Sequence, residues 1–435
     1  MEVSVIGAGL AGSECAWQLA QRGIQVKLYE MKPEKRTPAH HTDAFAELCC
    51  SNSLRGAGLE NAVGLLKEEL RQLGSLILSC ADATRVEAGG ALAVDRHGFA
   101  NLVTERIRSH PNITVIPGEV TAIPEGEVVV ASGPLTSDAL AETLETLLGE
   151  GCGLHFYDAA APLVSAASVD MESAWFGSRY DKGTADYVNC PMTEEEYTAF
   201  WEALTTAQEA EVHGFEDSQV FEGCMPVEVM ARRGRDTLRY GPLKPRGLKD
   251  PKTGREPYAV VQLRRDNAQG SIYNLVGFQT HLRFPEQKRV FSMIPALRNA
   301  EYLRYGVMHR NTFLDSPRYL NRYYQLKSEP RIAFAGQMTG VEGYVESAAS
   351  GFLAGIELAR RLRGMAPVDF PQETAIGALG LYVSNESIGN FQPMNVNFGI
   401  IPPLDHRVKG KRNKNAELSA RSLAIIEARK EDILQ

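Results

Sequence analysis

The chain has 435 residues, of which 44% are hydrophobic and 23% are charged, and its formal net charge is -8. This composition is typical of a globular protein and argues against a disordered, collagen-like or membrane-embedded chain. The net negative charge also argues against a globally basic nucleic-acid binder, although it does not exclude a local basic surface. At about 150 residues per domain, the length predicts two or three domains.

The N-terminus begins Met1-Glu2-Val3-Ser4 and lacks the positive segment and cleavage site of a secretory signal. No apolar run approaches the roughly 18 residues of a membrane span, so we expect a cytoplasmic protein without membrane partners. The cysteines form no CxxC pair and predict free thiols; they are Cys15, Cys49, Cys50, Cys80, Cys152, Cys190 and Cys224. The only dense histidine pair is His40-His41, and adjacent side chains rarely bind one ion, so we predict no metal site.

The first thirty residues predict a βαβ unit. A short apolar run at 2–6 is followed by Gly7-Ala8-Gly9-Leu10-Ala11-Gly12, by a helical stretch, and by an alternating strand that ends at Glu30. In this pattern Gly7 forms the tight turn, Gly9 lets backbone N–H groups approach a pyrophosphate, and Gly12 lets helix and strand pack closely. Glu30 is placed to accept hydrogen bonds from ribose hydroxyls. The unit predicts a dinucleotide site but does not separate FAD from NAD.

Later segments predict a discontinuous nucleotide-binding domain. Strands are expected at 114–116 and 127–131 and a helix at 137–148, and after an aromatic-rich and Arg-rich region a buried strand returns at 331–336. The predicted fold class is α/β, a Rossmann-like FAD-binding domain with an inserted α+β domain. The predicted boundaries are 1–185 and 321–435 for the two parts of the FAD-binding domain, the second with a C-terminal helix, and 186–320 for the insertion.

A second motif precedes the predicted helix at 343–362. The stretch GQMTGVEGYVES, from Gly336 to Ser347, resembles the second FAD signature of two-part flavoproteins, in which a strand ends in Gly and a helix N-terminus follows. The positive end of the helix dipole would favour an anionic reduced flavin. From this motif we predict cofactor contacts at Gly336, Thr339, Gly340, Gly343 and Tyr344, with simple helix–sheet packing as the alternative.

Two cysteine neighbourhoods and one basic stretch are candidate sites. Taken alone, the cysteines in FAELCCSNSLR and FEGCMP are more often buried structural thiols than nucleophiles. The stretch from Arg232 to Arg265 carries eleven basic and three acidic residues, and by itself such a run is usually a solvated face. Segments around His281 and around His309-Arg310 combine aromatic, amide and cationic groups that suit flat heterocycles, but an ordinary domain core explains them equally well.

Together these segments resemble the folate- and FAD-dependent tRNA (uracil-5-)-methyltransferase family nearly from end to end. The resemblance implies transfer of a one-carbon unit from methylenetetrahydrofolate to a T-loop uridine, with reduction by FAD that NADH or NADPH recharges. It implies that Cys224 is the uracil nucleophile and that Cys50 acts beside the flavin. Cys49 departs from the apolar residue usual in the family, which leaves open which of the two thiols acts.

The resemblance also gives the basic stretch a role. It implies a tRNA surface that includes Arg232, Arg233, Arg235, His281, His309 and Arg310, and no obligate protein partner is expected. Two other functions stay open at this point. One is the larger flavoprotein family that modifies the tRNA wobble uridine, which carries a long C-terminal helical extension; the other is a flavin-bound RNA-binding protein without catalysis.

Overall fold

A computed structural model describes residues 1–37, 39–149, 153–159, 161–181, 184–210, 225–306, 308–389 and 391–435, and only the backbone of 153–159, 181 and 308–312. The strands are β1 Glu2–Ile6, β2 Gln25–Glu30, β3 Ser53–Gly56, β4 Arg85–Val86, β5 Ala91–Val94, β6 Ile113–Pro117, β7 Glu127–Val130, β8 Gly153–Ala159, β9 Leu163–Ser165, β10 Trp175–Gly177, β11 Tyr187–Met192, β12 Ala259–Arg265, β13 Ile272–Leu275, β14 Tyr302–Arg304, β15 Met308–Leu314 and β16 Ile332–Phe334.

The helices lie between and around these strands. They are α1 Leu10–Gln21, α2 Ala62–Gln72, α3 Leu76–Ala83, α4 Arg96–Ser109, α5 Asp138–Leu148, α6 Glu194–Thr205, α7 Val227–Arg232, α8 Thr237–Tyr240, α9 Phe284–Phe291, α10 Ser316–Tyr319, α11 Tyr344–Leu362, α12 Ala375–Val383 and α13 Lys411–Leu434. No helix in the described ranges is long and apolar enough to span a membrane.

Five of the strands form a parallel sheet in the order β16-β7-β1-β2-β6. Strand β1 is central, with β2 on one side and β7 on the other. The glycine loop that follows β1 therefore lies at the carboxyl edge of the sheet between β2 and β7, where open α/β sheets bind their ligands. Strand β16 belongs to this parallel sheet although about 200 residues separate it from β7 in the chain. The predicted βαβ unit, the α/β class and the discontinuous sheet are therefore confirmed.

Helix α11 packs against α1 at very short range because glycines face it. A Cβ added at Gly351 would lie 2.1 Å from the carbonyl oxygen of Ala11, and one at Gly355 would lie 3.0 Å from that of Cys15. These small residues therefore let the two helices approach closely. Their packing brings the N-termini of both helices to the same edge of the sheet.

A second, six-stranded sheet has the order β10-β11-β12-β13-β9-β14, with antiparallel pairing throughout. It carries its own core, with Phe200, Phe278 and Phe291 fully buried beneath it. Two of its strands, β9 and β10, precede residue 186. By their pairing, these two strands belong to the inserted domain. The predicted domain boundaries stay predictions.

Candidate active site

The glycine loop has the shape that the sequence predicts. Gly7 has a φ of +98°, and its N–H donates to Tyr29 O at 2.8 Å. A Cβ at Gly12 would lie 1.8 Å from Gly7 O, whereas a Cβ at Gly9 would meet no atom of the described residues within 4 Å. Gly7 and Gly12 are therefore required by the fold itself, and the space beside Gly9 is left open for a ligand.

The N-terminus of helix α1 faces this space, and no side chain caps it. The first N–H groups of a helix have no partner within it, and Gly9 caps α1 without any side-chain hydrogen bond. Glu30 lies nearby and is buried, with Oε2 accepting from Ala8 N at 2.9 Å and Oε1 from Lys32 N at 3.0 Å. A helix N-terminus suits a pyrophosphate, and a carboxylate at the end of β2 suits ribose hydroxyls.

Two adjoining cavities run along the carboxyl edge of the parallel sheet. One contains about 660 Å³ of space not filled by protein atoms and is lined by Glu30. The other contains about 1760 Å³ and is lined by Cys50 and Tyr344. They share the lining residues Gly9, His40, Glu47, Ala131, Ser132 and Leu135. The two cavities form one elongated groove with the glycine loop at its middle, as an extended dinucleotide requires.

The second glycine motif forms the far wall of the larger cavity. Gly336, Gly340 and Gly343 all have positive φ values, of +88°, +79° and +116°. A Cβ at Gly340 would lie 2.4 Å from the ring of Phe391, and no side chain caps the N-terminus of α11 at Gly343. Thr339 is buried and donates to Gly336 O at 2.8 Å, so it holds the turn. A second uncapped helix N-terminus therefore faces the groove.

Tyr344, the first residue of α11, holds the segment that carries Cys50. Its hydroxyl oxygen accepts from Cys50 N at 3.0 Å and from Ser51 N at 3.3 Å, and it lies 3.0 Å from Cys50 Sγ. Burial, and after it the neighbouring Cys50, raises the pKa of the Tyr344 hydroxyl well above its ordinary value. The phenol therefore stays protonated. Since its oxygen already accepts two hydrogen bonds, its proton is available to the Cys50 sulfur.

Cys49 has a different environment from Cys50. Its thiol contacts Glu47 O at 3.8 Å. Burial, reinforced by Glu47, raises the pKa of the Cys49 thiol to about 12. Only the thiolate form of a cysteine is an effective nucleophile, so Cys49 is unsuited to act as a nucleophile near neutral pH.

Arg264 from β12 and Arg96 from the start of α4 anchor the cysteine segment. Arg264 donates to Asn52 Oδ1 at 3.2 Å and to Ser51 Oγ at 2.7 Å, and it is buried. Our interpretation of the whole 232–265 stretch as an RNA surface is therefore wrong for Arg264, because its guanidinium binds inside the protein. Arg96 donates to Leu48 O and forms two 2.9 Å hydrogen bonds with Asp266, which follows β12.

The predicted nucleophile Cys224 lies outside the described residues, but the residues that flank its segment are described. Ala210 N donates to His281 O at 2.8 Å, and Val227 N donates to Gln279 O at 2.7 Å. Gln279 lines the larger cavity.

His281 binds the two ends of that segment together. Its Nε2 contacts Glu209, and its Nδ1 lies 3.2 Å from Glu228 Oε1, close enough for an ion pair but not aligned for a hydrogen bond. Burial lowers the pKa of His281, but the carboxylates of Glu209 and Glu228 outweigh it and raise that pKa above its ordinary value. The ring is buried between two carboxylates, a geometry that favours a structural role over contact with RNA.

The other predicted RNA contacts differ in their surroundings. Arg232, Arg233 and Arg235 are exposed. Arg232 pairs with Glu209, and Arg235 lies 3.3 Å from Glu194. For His309 and Arg310 the structure describes only the backbone, which belongs to β15. Their contact with RNA stays a prediction.

Two further groups at the groove were not predicted as site residues. His40 lines both cavities, and burial, followed by Lys32, lowers its pKa, so its ring is neutral at pH 7. Arg304, on β14, has two buried N–H groups without a hydrogen-bond partner among the described residues, and its electrostatic neighbours include Tyr344 and Cys49. The sequence RYGVMHR marks Arg304 as part of a basic and aromatic segment, but nothing in the sequence indicates that its side chain is buried.

In the described part of the chain, no cluster of three or more His, Cys, Asp or Glu side chains is arranged to hold a metal ion.

Comparison with known proteins gives a consistent result. The family model described as glucose inhibited division protein A matches residues 2–366. A methylenetetrahydrofolate--tRNA-(uracil-5-)-methyltransferase TrmFO from Acetivibrio thermocellus is 61% identical over 98% of this chain and 97% of its own length. Proteins of the same name from Anoxybacillus flavithermus and Listeria monocytogenes are 59% and 58% identical, and 99% of each is covered.

The similarity extends to solved structures of the same architecture. Aquifex aeolicus GidA superimposes with a TM-score of 0.72 at 15% sequence identity. The match covers 100% of this chain and 74% of that one. At this identity the likeness is one of fold.

Proposed function

Because the chain belongs to the TrmFO family of methylenetetrahydrofolate–tRNA-(uracil-5-)-methyltransferases, we propose that it converts a T-loop uridine of tRNA to 5-methyluridine. Methylenetetrahydrofolate supplies the one-carbon unit, and NADH or NADPH supplies the electrons. The single observation that carries the proposal is the juxtaposition of Cys50 and Tyr344 with the continuous groove, in a chain that matches these relatives over nearly its whole length.

The groove residues fit FAD. Gly9 leaves open space at the uncapped N-terminus of α1 for a pyrophosphate, and Glu30 lies at the ribose end. Gly336 and Gly343 line the larger cavity, where the flavin ring would lie with the N-terminus of α11 against it. When bound and reduced, FAD supplies the two electrons that turn a transferred methylene into a methyl group.

The protein's thiols then have separate tasks. Cys224 adds to carbon 6 of the uracil, which makes carbon 5 nucleophilic. Carbon 5 bonds to the methylene carbon as the first of its two carbon–nitrogen bonds to the folate breaks. Loss of the carbon 5 proton then breaks the second carbon–nitrogen bond and leaves an exocyclic methylene on the base, which is still joined to Cys224. Two electrons and a proton delivered to this methylene give the methyl group and release the Cys224 thiolate. Cys50 handles the one-carbon unit or protons on the flavin side. Tyr344 orients Cys50 and directs a proton toward its sulfur.

Substrate binding divides between the two parts of the chain. Exposed Arg232, Arg233 and Arg235, with His309 and Arg310, contact the tRNA. We propose that His281 holds the base of the Cys224 segment instead of binding phosphate. We also propose a cytoplasmic location, a discontinuous FAD-binding domain whose insertion begins early enough to include β9 and β10, and no obligate protein partner.

Transfer of a labelled one-carbon unit tests the function. FAD-loaded protein, NADPH and labelled methylenetetrahydrofolate are incubated with an unmodified tRNA transcript, using wild type, Cys224→Ala and, as a matched thiol control, Cys190→Ala. We expect label in the transcript for wild type and Cys190→Ala and none for Cys224→Ala. Equal labelling by Cys224→Ala would remove that thiol from the mechanism, and no labelling by wild type would refute the proposed reaction.

A further inference from the structure

A ladder of three aromatic rings lies at the edge of the second sheet, outside the groove. Phe284 and Tyr305 stack with centroids 5.0 Å apart and planes 15° apart, and Tyr305 stacks on Tyr302 at 5.3 Å and 9°. We refer to these three residues as the aromatic ladder. Phe284 is its outer member and is 51% exposed. A large ring this exposed, with one face already stacked, presents an aromatic surface to solvent.

The ladder is held rigidly. Gln287, fully buried in α9, donates to Gly306 O at 2.8 Å and accepts from Gly306 N at 2.7 Å. It also donates to Leu282 O at 2.6 Å. The helix that begins with Phe284 is therefore fixed to the chain that carries Tyr305, and a ligand that stacks on Phe284 meets a preformed surface.

Residues next to the ladder in the chain contact other parts of the candidate site. Leu282, two residues before Phe284, pairs with Glu209 at the start of the segment that carries Cys224. Arg304, between Tyr302 and Tyr305 in the chain, interacts electrostatically with Cys49 and Tyr344 in the larger cavity. The ladder is therefore connected through adjacent residues to Glu209 and to the larger cavity.

The surrounding charge favours a polyanion. Although the whole chain has a net charge of -8, the stretch 281–306 contains five basic and two acidic residues. The exposed basic ones are Arg283, Lys288, Arg289 and Arg298, whereas the guanidinium of the fifth, Arg304, is buried. Aromatic stacking combined with local positive charge is the usual means of binding unpaired nucleotides.

We propose that the aromatic ladder is a stacking platform on which Phe284 receives an unpaired base of the substrate RNA next to the target uridine. The inference rests on the proposed function, because it assigns the RNA a contact outside the reaction site. A target base that enters a pocket leaves its neighbours without a stacking partner. The ring of Phe284 replaces that partner, and it does so without sequence preference because every base has a flat face.

Binding of an RNA hairpin with 2-aminopurine beside the target uridine tests the platform. The FAD-loaded wild type is compared with Phe284→Ala, Phe284→Tyr and the control Phe176→Ala, which removes a ring that is 45% exposed on β10, at the opposite edge of the same sheet. We expect wild type and Phe284→Tyr to quench the fluorescence and Phe284→Ala to lose the quenching and bind about tenfold more weakly. Phe176→Ala should match wild type.

Flavin reduction by NADPH, measured on every variant, verifies that the groove is intact. If wild type neither binds nor methylates the transcript, the proposed function fails and the platform with it. If wild type does both and Phe284→Ala matches it, only the platform is refuted. A Phe284→Ala variant that loses self-association but keeps RNA affinity would identify the ladder as a contact between copies of this chain and would also overturn the inference.

Discussion

The pair Arg96–Asp266 offers a test of how the second sheet fixes the cysteine segment. The two side chains are only 7% and 4% exposed and share two 2.9 Å hydrogen bonds. Replacing Asp266 with Asn leaves a buried guanidinium without its counter-charge, a change that typically costs about 3–5 kcal/mol. Arg96 also donates to Leu48 O, next to the cysteines. We therefore expect Asp266→Asn to lower both the free energy of unfolding and the rate of methyl transfer.

The matched control is Arg71–Asp82, which has the same two-bond geometry at the surface. Its hydrogen bonds are 2.7 and 2.8 Å long, but the side chains are 28% and 41% exposed. Exposed pairs contribute about 0.2–1 kcal/mol, so Asp82→Asn should change the free energy of unfolding by no more than that. Urea denaturation followed by tryptophan fluorescence measures both variants. Equal losses for the two variants would refute the assignment of Arg96–Asp266 as a buried anchor between α4 and the second sheet.

Three further predictions follow from the groove. Cys49→Ser should keep methyl transfer and Cys50→Ser should abolish it, and the rate of methyl transfer to the tRNA transcript measures both. The reverse result would assign the catalytic role to Cys49 instead of Cys50. Gly9→Ala should keep the melting temperature of the FAD-free protein and weaken FAD binding, whereas Gly12→Ala should lower that temperature, because only its Cβ meets backbone at 1.8 Å. Because the pKa of His281 is raised, its stabilisation is complete below about pH 6.5 and is lost as pH rises through the folded-state pKa. The stability difference between wild type and His281→Gln in urea should therefore shrink from pH 6 to pH 9, and a constant difference would contradict this.

The elements around the first cofactor motif could be predicted because their signals are local. The glycine spacing and the alternating strand that ends at Glu30 each fix a backbone geometry over a few residues. The sheet formed by β3, β4 and β5 was not predicted, since its strands have two to four residues and too few positions to show a period.

The parts of the site that sequence reasoning missed depend on long-range contacts. Arg264 has the same local sequence signal as an exposed arginine, and only its contacts with Ser51 and Asn52, more than 200 residues away, show that it faces inward. The choice between Cys49 and Cys50 likewise depends on burial and on Tyr344, which comes from a distant helix. The histidine at 281 was predicted from its neighbours in sequence, but its function depends on Glu209 and Glu228.

The most direct test of the central claim is the position of the transferred carbon in the RNA. An unmodified tRNA transcript is incubated with the FAD-loaded protein, NADPH and methylenetetrahydrofolate that carries deuterium on its methylene carbon, and is then digested and analysed by mass spectrometry. We predict a T-loop 5-methyluridine that retains both deuterium atoms. Absence of deuterated 5-methyluridine, or label at the wobble uridine instead, would contradict the proposed reaction.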